Sequence, residues 1–349
     1  MSTTNGNATP VKLGRKDFMS DQEMRWCPGC GDYGITAALQ LLLPDLGVEP
    51  HELVFISGIG CAARLPYYMN TYGIHSIHGR APAIATGVAL TRPDLSVWVI
   101  GGDGDMLSIG ANHLIHALRR NVDLKILMFN NQIYGLTKGQ YSPTSEVGKV
   151  TKSTPFGSID YPFNALSVAI GSGATFVARS VDIFQGHLKE TLKAAAAHKG
   201  TAFVEIYQNC NIFNDKAFAP ITDKESRDDS AVYLEQGKPL LFGKGKTKGI
   251  RLNGTELEVI DLTAGFSPDD CLVWDETRMN PAIAFMIAQM GPPNFPTPLG
   301  VLRRVDVPSF ESGVVGQIER ETERKGPGSL DSLLRSGDLW TVHEDGTVS

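Results

Sequence analysis

The chain has 349 residues, 42% hydrophobic and 20% charged, a composition that supplies a sizeable buried core and excludes disordered and collagen-like classes. Thirty-two basic against 38 acidic side chains give a formal net charge of −6, which argues against nucleic acid as a dominant partner. No apolar run reaches the roughly 18 residues of a membrane span, and the polar opening MSTTNGNATP lacks the apolar core of a signal peptide, so a cytoplasmic protein with no membrane partner is expected.

Length alone is compatible with two ordinary domains or one large domain with an extension. Residues 1–20 read as a flexible N-terminal tail. The first motif is WCPGCG, in which Cys27 and Cys30 form a Cys-x-x-Cys pair in a turn shaped by proline and glycine. Three chemistries use such a pair. A thioredoxin-like dithiol would follow a strand, whereas the residues before it (KDFMSDQEMRW) are polar and mixed. A structural zinc site would want a second close Cys/His pair, and none is present. An iron–sulfur cluster would need two distant cysteines. The other cysteines are Cys61, Cys210 and Cys271, an odd total of five.

Further along, Gly34 to Leu43 reads as a buried helix stopped at Pro44. The run ELVFISGIG (52–60) reads as a buried strand ending in glycines, with Cys61 immediately after it. HGRAPAIATGVAL (78–90) is a loop feeding a small-residue helix, and LSVWVIGG (95–102) is a second strand followed by GDGD. Met106 to Arg120 reads as a helix with Asn121 as its breaker. LKILMF (124–129), ATFVAR (174–179) and TAFVEIYQ (201–208) are further strands, with a helix across Val181 to Lys199. Near-continuous apolar strands alternating with helices imply an α/β fold, a mainly parallel sheet with helices on both faces. Ligands of such sheets bind beyond the carboxyl ends of the strands, where Cys61, Asp103, Asn131 and Cys210 all fall. Residues 21–230 are expected to form this domain. Residues 231–349, with short strand-like pieces, many prolines and a basic run at Lys244, Lys246 and Lys248, read as a C-terminal extension packing on it.

Gly102-Asp103-Gly104-Asp105 stands at a strand end and opens a helix, where glycine amides can approach phosphate oxygens. Asp103 is a hard oxygen ligand suited to magnesium. Asn131 follows the next strand, and if the two strands are neighbours its amide oxygen and the Ile133 carbonyl can join Asp103 on one metal. Either segment alone would read as an ordinary capped turn. Together, each behind a buried strand, they point to a metal–diphosphate site.

The ordered set WCPGCG, GIGCAAR (58–64), HGRA (78–81), GDGD (102–105), NNQIYGLTKGQ (130–140) and the lone Cys210 resembles the β subunit of the 2-oxoacid:ferredoxin oxidoreductases, and most closely the 2-oxoglutarate type. The match runs in order over about residues 18–215. The resemblance implies the thiamin-diphosphate-binding fold with one 4Fe–4S cluster on Cys27, Cys30, Cys61 and Cys210. It also implies Mg2+ on Asp103, Asn131 and the Ile133 carbonyl. Gly60, Cys61, His78, Gly102, Asp103, Gly104, Asp105, Asn131, Leu136 and Thr137 would then border the cofactor. His78 would approach cofactor and substrate, and Lys138 is read as a cation for the distal carboxylate of a dicarboxylic 2-oxoacid. Trp26 is expected to shield the cluster turn, and Cys271 to be a buried thiol.

The reaction so implied is CoA-dependent oxidative decarboxylation of 2-oxoglutarate to succinyl-CoA, with electrons leaving through the cluster to ferredoxin. The same chemistry on pyruvate or another small 2-oxoacid is the near alternative. A non-catalytic nucleotide-binding module with structural zinc on Cys27 and Cys30 is the alternative from another class. No segment of 216–349 reads as the domain whose glutamate activates the aminopyrimidine ring, so the resemblance implies a separate α subunit and an (αβ)2 assembly.

Overall fold

Each of the apolar runs becomes a strand in the computed structural model, which describes residues 13–349. In chain order these are β1 (Leu53–Ser57), β2 (Tyr72–His75), β3 (Ser96–Gly102), β4 (Lys125–Asn130), β5 (Phe176–Val181), β6 (Ala202–Tyr207) and β7 (Ala231–Leu234). Then come β8 (Leu241–Phe242), β9 (Lys248–Asn253), β10 (Glu256–Asp261) and β11 (Thr297–Arg304). Eight of them form one sheet in the order β2-β1-β3-β4-β6-β5-β11-β7, and β8 to β10 make a separate antiparallel sheet. The first six strands in that order run parallel; β11 is antiparallel to β5 and parallel to β7.

The strands are apolar throughout because both faces are covered. Val54, Ile56, Val97, Val99, Ile126 and Met128 point to one core, and Phe55, Trp98, Ile100, Leu127 and Phe129 to the other, the period-two alternation of a pleated strand. On the second face lie α1 (Asp32–Leu42) and, later in the chain, a helix spanning Gln185–Ala197, through Ile35, Leu39, Leu188 and Leu192. The first face takes α2 (Ala81–Thr91), through Ala81, Ala85 and Ala89. The expected α/β architecture with a mainly parallel sheet is present.

The helix expected from Met106 to Arg120 is two: α3 (Asp103–Leu107) and α4 (Ala111–Arg120). The break at Ser108–Gly110 makes room for the loop after β2, since a Cβ on Gly79 would come within 2.4 Å of the Gly110 backbone. Asn121 ends α4 in the left-handed region at φ 54°, as its breaker role requires. The edge strand β2 was not foreseen; its residues are all exposed, so no burial pattern marks them.

Two expected boundaries move. Residues 1–12 of the expected tail lie outside the described residues, but residues 13–20 are built into the fold: Phe18 is fully buried, and Met19 bridges to Met69. The stretch from 231 onward does more than pack on the domain, because β7 and β11 extend its sheet. The four-residue length of β7 and the proline at 298 in β11 hid them. The basic run at Lys244 to Lys248 is a turn leading into β9. Among the described residues, no helix is long and apolar enough to cross a membrane.

Candidate active site

The four strands β1, β3, β4 and β6 are consecutive neighbours, all parallel, and deliver Cys61, Asp103, Asn131 and Cys210 to one edge. Two adjoining cavities open there. One, of about 350 Å³, is bordered by Gly60, His78, Gly102 to Asp105, Asn131, Ile133, Leu136 and Thr137, the residues expected at the cofactor. The other, of about 260 Å³, is lined by Cys27, Cys30, Cys61 and Cys210. Cys61, Asn131, Gly135, Leu136 and Gln208 belong to both walls.

Asp103 is 2% exposed, and burial pushes its carboxyl up to about 6, against the pull of Ser142 and Thr144. Both hydroxyls donate to Oδ2 at 2.5 Å, and among the described residues no side-chain donor reaches Oδ1. Thr144 also donates to Asn130 Oδ1 at 2.9 Å, Asn130 Nδ2 donates to Glu205 Oε1 at 2.8 Å, and Arg179 Nε donates to Glu205 Oε2 at 2.6 Å. A buried chain thus runs from Arg179 to Asp103. The carboxylate is buried with hydroxyl partners and no cation, the environment that a hard divalent ion would complete. Asn131 Oδ1 accepts from the Ile133 amide at 3.2 Å, a local turn that holds both residues on the cavity wall. The phenol of Tyr134 lies so close to Gly104 that a Cβ there would sit 2.1 Å from the ring, which requires glycine at 104. The Tyr134 hydroxyl donates to the Gly104 carbonyl at 3.2 Å.

Asp105 faces the other way. Its Oδ1 accepts from the amides of Ile59 at 3.1 Å and Gly79 at 2.8 Å, joining the loops that carry Cys61 and His78. Burial raises its carboxyl, partly offset by those amides. It is therefore a clamp between loops as well as a wall of the cavity. His78 is exposed at the rim of the cofactor cavity.

All four motif cysteines are free thiols around one space. A Cβ on Gly135 would lie 3.6 Å from Cys210 Sγ and 3.7 Å from Cys61 Sγ, so these two sulfurs flank one point of the chain. Burial, then the neighbouring Asp32, pushes the Cys61 thiol up to about 12, and Cys30 is raised by the same causes. Such thiols ionise when a cationic centre offsets the burial. Among the described residues, no three His, Cys, Asp or Glu side chains converge tightly enough for a single metal ion. The sulfurs surround a volume, as a multi-iron cluster would need. Trp26 covers this turn, 6% exposed, its Nε1 donating to the Cys61 carbonyl at 2.7 Å and its ring edge-on to Tyr68. Lys138 is exposed, at φ 79°, and borders the cysteine cavity and not the cofactor cavity. Cys271 is buried away from both.

Several side chains at this edge have no motif to announce them. Ser142 and Thr144 lie in the hydroxyl-rich SPTS run beyond the NNQIYGLTKGQ segment, and that cluster of hydroxyls was the available signal. Asp32, directly after WCPGCG, is 1% exposed beside the Cys30 thiol, and burial lifts it to about 7. Glu205 and Gln208 were submerged in a strand read as apolar.

Comparison with known proteins agrees with this geometry. Residues 58–206 match the family model described as thiamine pyrophosphate enzyme, C-terminal TPP binding domain. The chain is 53% identical over 330 residues to the 2-oxoglutarate oxidoreductase subunit KorB of Mycobacterium tuberculosis, covering 94% of this chain and 88% of the relative. It is 49% identical over 190 residues to the β subunit of 2-oxoacid:ferredoxin oxidoreductase 1 of Aeropyrum pernix, spanning 54% of this chain and 60% of that one. Among solved structures, the 2-oxoglutarate:ferredoxin oxidoreductase of Magnetococcus marinus with 2-oxoglutarate, coenzyme A and succinyl-CoA bound superposes with a TM-score of 0.73. Identity there is 31%, over 94% of this chain and 97% of that chain.

Proposed function

The chain belongs to the β subunits of the 2-oxoacid:ferredoxin oxidoreductases, and from that premise we propose that it carries the thiamin-diphosphate half of a 2-oxoglutarate-oxidising enzyme. The observation that carries the reading is the delivery, by four neighbouring parallel strands, of an oxygen-donor set and a thiol set to two adjoining cavities. The reaction converts 2-oxoglutarate and coenzyme A to succinyl-CoA and carbon dioxide and passes two electrons singly to ferredoxin. Thiamin diphosphate supplies the carbon nucleophile and electron sink for decarboxylation, and a 4Fe–4S cluster supplies a one-electron acceptor beside it.

The chain's own residues hold, orient and seclude. Asp103, the Asn131 amide oxygen and the Ile133 carbonyl bind Mg2+, and Ser142 and Thr144 keep the Asp103 carboxylate in place. Gly102 to Asp105, Leu136 and Thr137 border the diphosphate, with Tyr134 closing the wall behind Gly104. Cys27, Cys30, Cys61 and Cys210 hold the cluster, covered by Trp26. His78 meets the reacting end of the substrate at the rim, and Lys138 faces the distal carboxylate from the cysteine side. The residue that activates the aminopyrimidine comes from an α subunit, in an (αβ)2 assembly working in the cytoplasm.

Co-producing the chain with its α subunit tests this directly. We expect iron, acid-labile sulfide, Mg2+ and thiamin diphosphate in the purified complex, and dye reduction with 2-oxoglutarate and coenzyme A far above that with pyruvate. Zinc without iron would overturn the cluster assignment, and a preference for pyruvate the substrate. Lys138→Ala should erode the preference for dicarboxylates; an unchanged ratio removes that role.

A further inference from the structure

Gln208 follows β6 and lines both cavities. It is 1% exposed, and its backbone amide donates to the Asn130 carbonyl at 2.9 Å. The orientation of its side-chain amide is fixed by chemistry. Nε2 lies 2.7 Å from the Asn209 carbonyl, which can only accept, so the NH2 group and not the oxygen must face it. That same carbonyl accepts from the Gly31 amide at 3.1 Å, pinning the WCPGCG turn to the end of β6. With one N–H so engaged, Nε2 directs its other hydrogen at Cys30 Sγ, 3.2 Å away. Among the described residues, no other side-chain nitrogen donates to the four motif sulfurs, while the Asp32 backbone amide adds a second donor at Cys30. The Oε1 atom has no partner, so satisfying the oxygen is not what sets this pose.

Resting on the assignment of Cys30 as a cluster ligand, we propose that Gln208 is a positioning residue that raises the cluster's reduction potential through its N–H···S bond to Cys30. Reduction adds negative charge to the irons and their sulfur ligands, and a donor bonds more strongly to the more negative sulfur. The bond therefore favours the reduced form. The buried carboxyl of Asp32 stands beside Cys30 and Cys61, and as an anion it acts in the opposite direction. The Gln208 amide makes the cluster a better electron acceptor, in the same sense as the Arg64 cation beside Cys61.

The test uses the αβ complex. Iron and acid-labile sulfide are measured in wild type, Gln208→Leu and Gln208→Glu, and each cluster is then titrated with reductant under EPR observation without substrate. At the wild-type midpoint, the reduced-to-oxidised ratio should fall about tenfold in Gln208→Leu, a shift of about 59 mV for a one-electron couple. It should fall further in Gln208→Glu, where a carboxylate replaces the donor. Intact clusters with the wild-type midpoint in both variants overturn the inference and leave the cluster assignment standing. A wild-type complex without a cluster overturns the assignment itself. Should the leucine variant fail to assemble its cluster, wild type labelled with [15N]glutamine decides. A nitrogen coupling to the reduced cluster in pulsed EPR supports the bond, and its absence overturns it.

Discussion

At the amino end of the main sheet, Asn121 Oδ1 accepts from Thr175 Oγ1 at 2.6 Å and from the Thr201 amide at 3.0 Å, while its Nδ2 donates to the Val307 and Pro308 carbonyls. Thr175, having donated its proton, accepts from His198 Nε2 at 2.7 Å, and Lys125 Nζ donates to Asp123, His198 and Gly200. At the carboxyl end of the same strands, Asp105, Gln208 and Asn211 each keep a buried oxygen without a hydrogen-bond partner among the described residues. The buried Asp103 carboxylate there has, among those residues, only the Ser142 and Thr144 hydroxyls on its Oδ2. One end is satisfied by its own side chains; the other is arranged for groups the chain does not itself supply. Unpaired buried polar atoms cost stability, so the sheet is held by its amino end and spends part of that margin at its carboxyl end.

Opposite phenotypes should follow at the two ends. The largest effect is expected for Asp103→Ala. Loss of an outer-shell partner of a metal ligand costs roughly 10–100-fold, and loss of the ligand itself should exceed that in turnover and Mg2+ affinity of the αβ complex. The thermal midpoint measured without Mg2+ should not fall, because a costly buried carboxylate is gone. A large drop would erase the contrast. Asn121→Ala should do the reverse, with about 3 kcal/mol lost in denaturant titration through four broken hydrogen bonds and a left-handed backbone position. Its Mg2+ affinity should stay as in wild type.

The smallest effect is a pH dependence from the amino end. Burial, then Lys125, depresses His198 to about 4, below the roughly 6.5 of an unfolded histidine. Between those values the unfolded chain binds a proton that the folded chain refuses. Stability from this group is present above about pH 6.5 and is lost as pH falls toward 4, on the order of 2 kcal/mol. Denaturation at pH 7.5 and 4.5, in wild type and His198→Gln, should show a shallower acid loss in the variant; parallel losses would show that other groups dominate.

What could be read in the sequence was what repeats a simple rule. Largely apolar runs mark β1, β3, β4 and β6, the first two closing on glycine, and the residues after each run mark the edge. Cys61, Asp103, Asn131 and Cys210 were placed together because a parallel sheet ends all its strands on one side. The exposed β2, and β7 and β11 contributed from far along the chain, had no such signature; β11 is defined by β5, more than 100 residues before it, and β7 by β11. Ser142, Thr144 and Glu205 escaped for a related reason. They act on other side chains, and only the folded contacts show which. The helix across 106–120 was split because the loop at Gly79 needs the space.

Asp105 also sets how this edge can move. One carboxylate holds the backbone of two loops from different strands, one carrying Cys61 and the other the rim histidine. Neither loop can lift without breaking a bond to the oxygen that restrains its neighbour. The amide protons of Ile59 and Gly79 should therefore exchange with solvent in a single correlated opening, with one protection factor for both. Thiol and imidazole then travel as a rigid pair, so that a breathing motion admitting substrate past one also displaces the other.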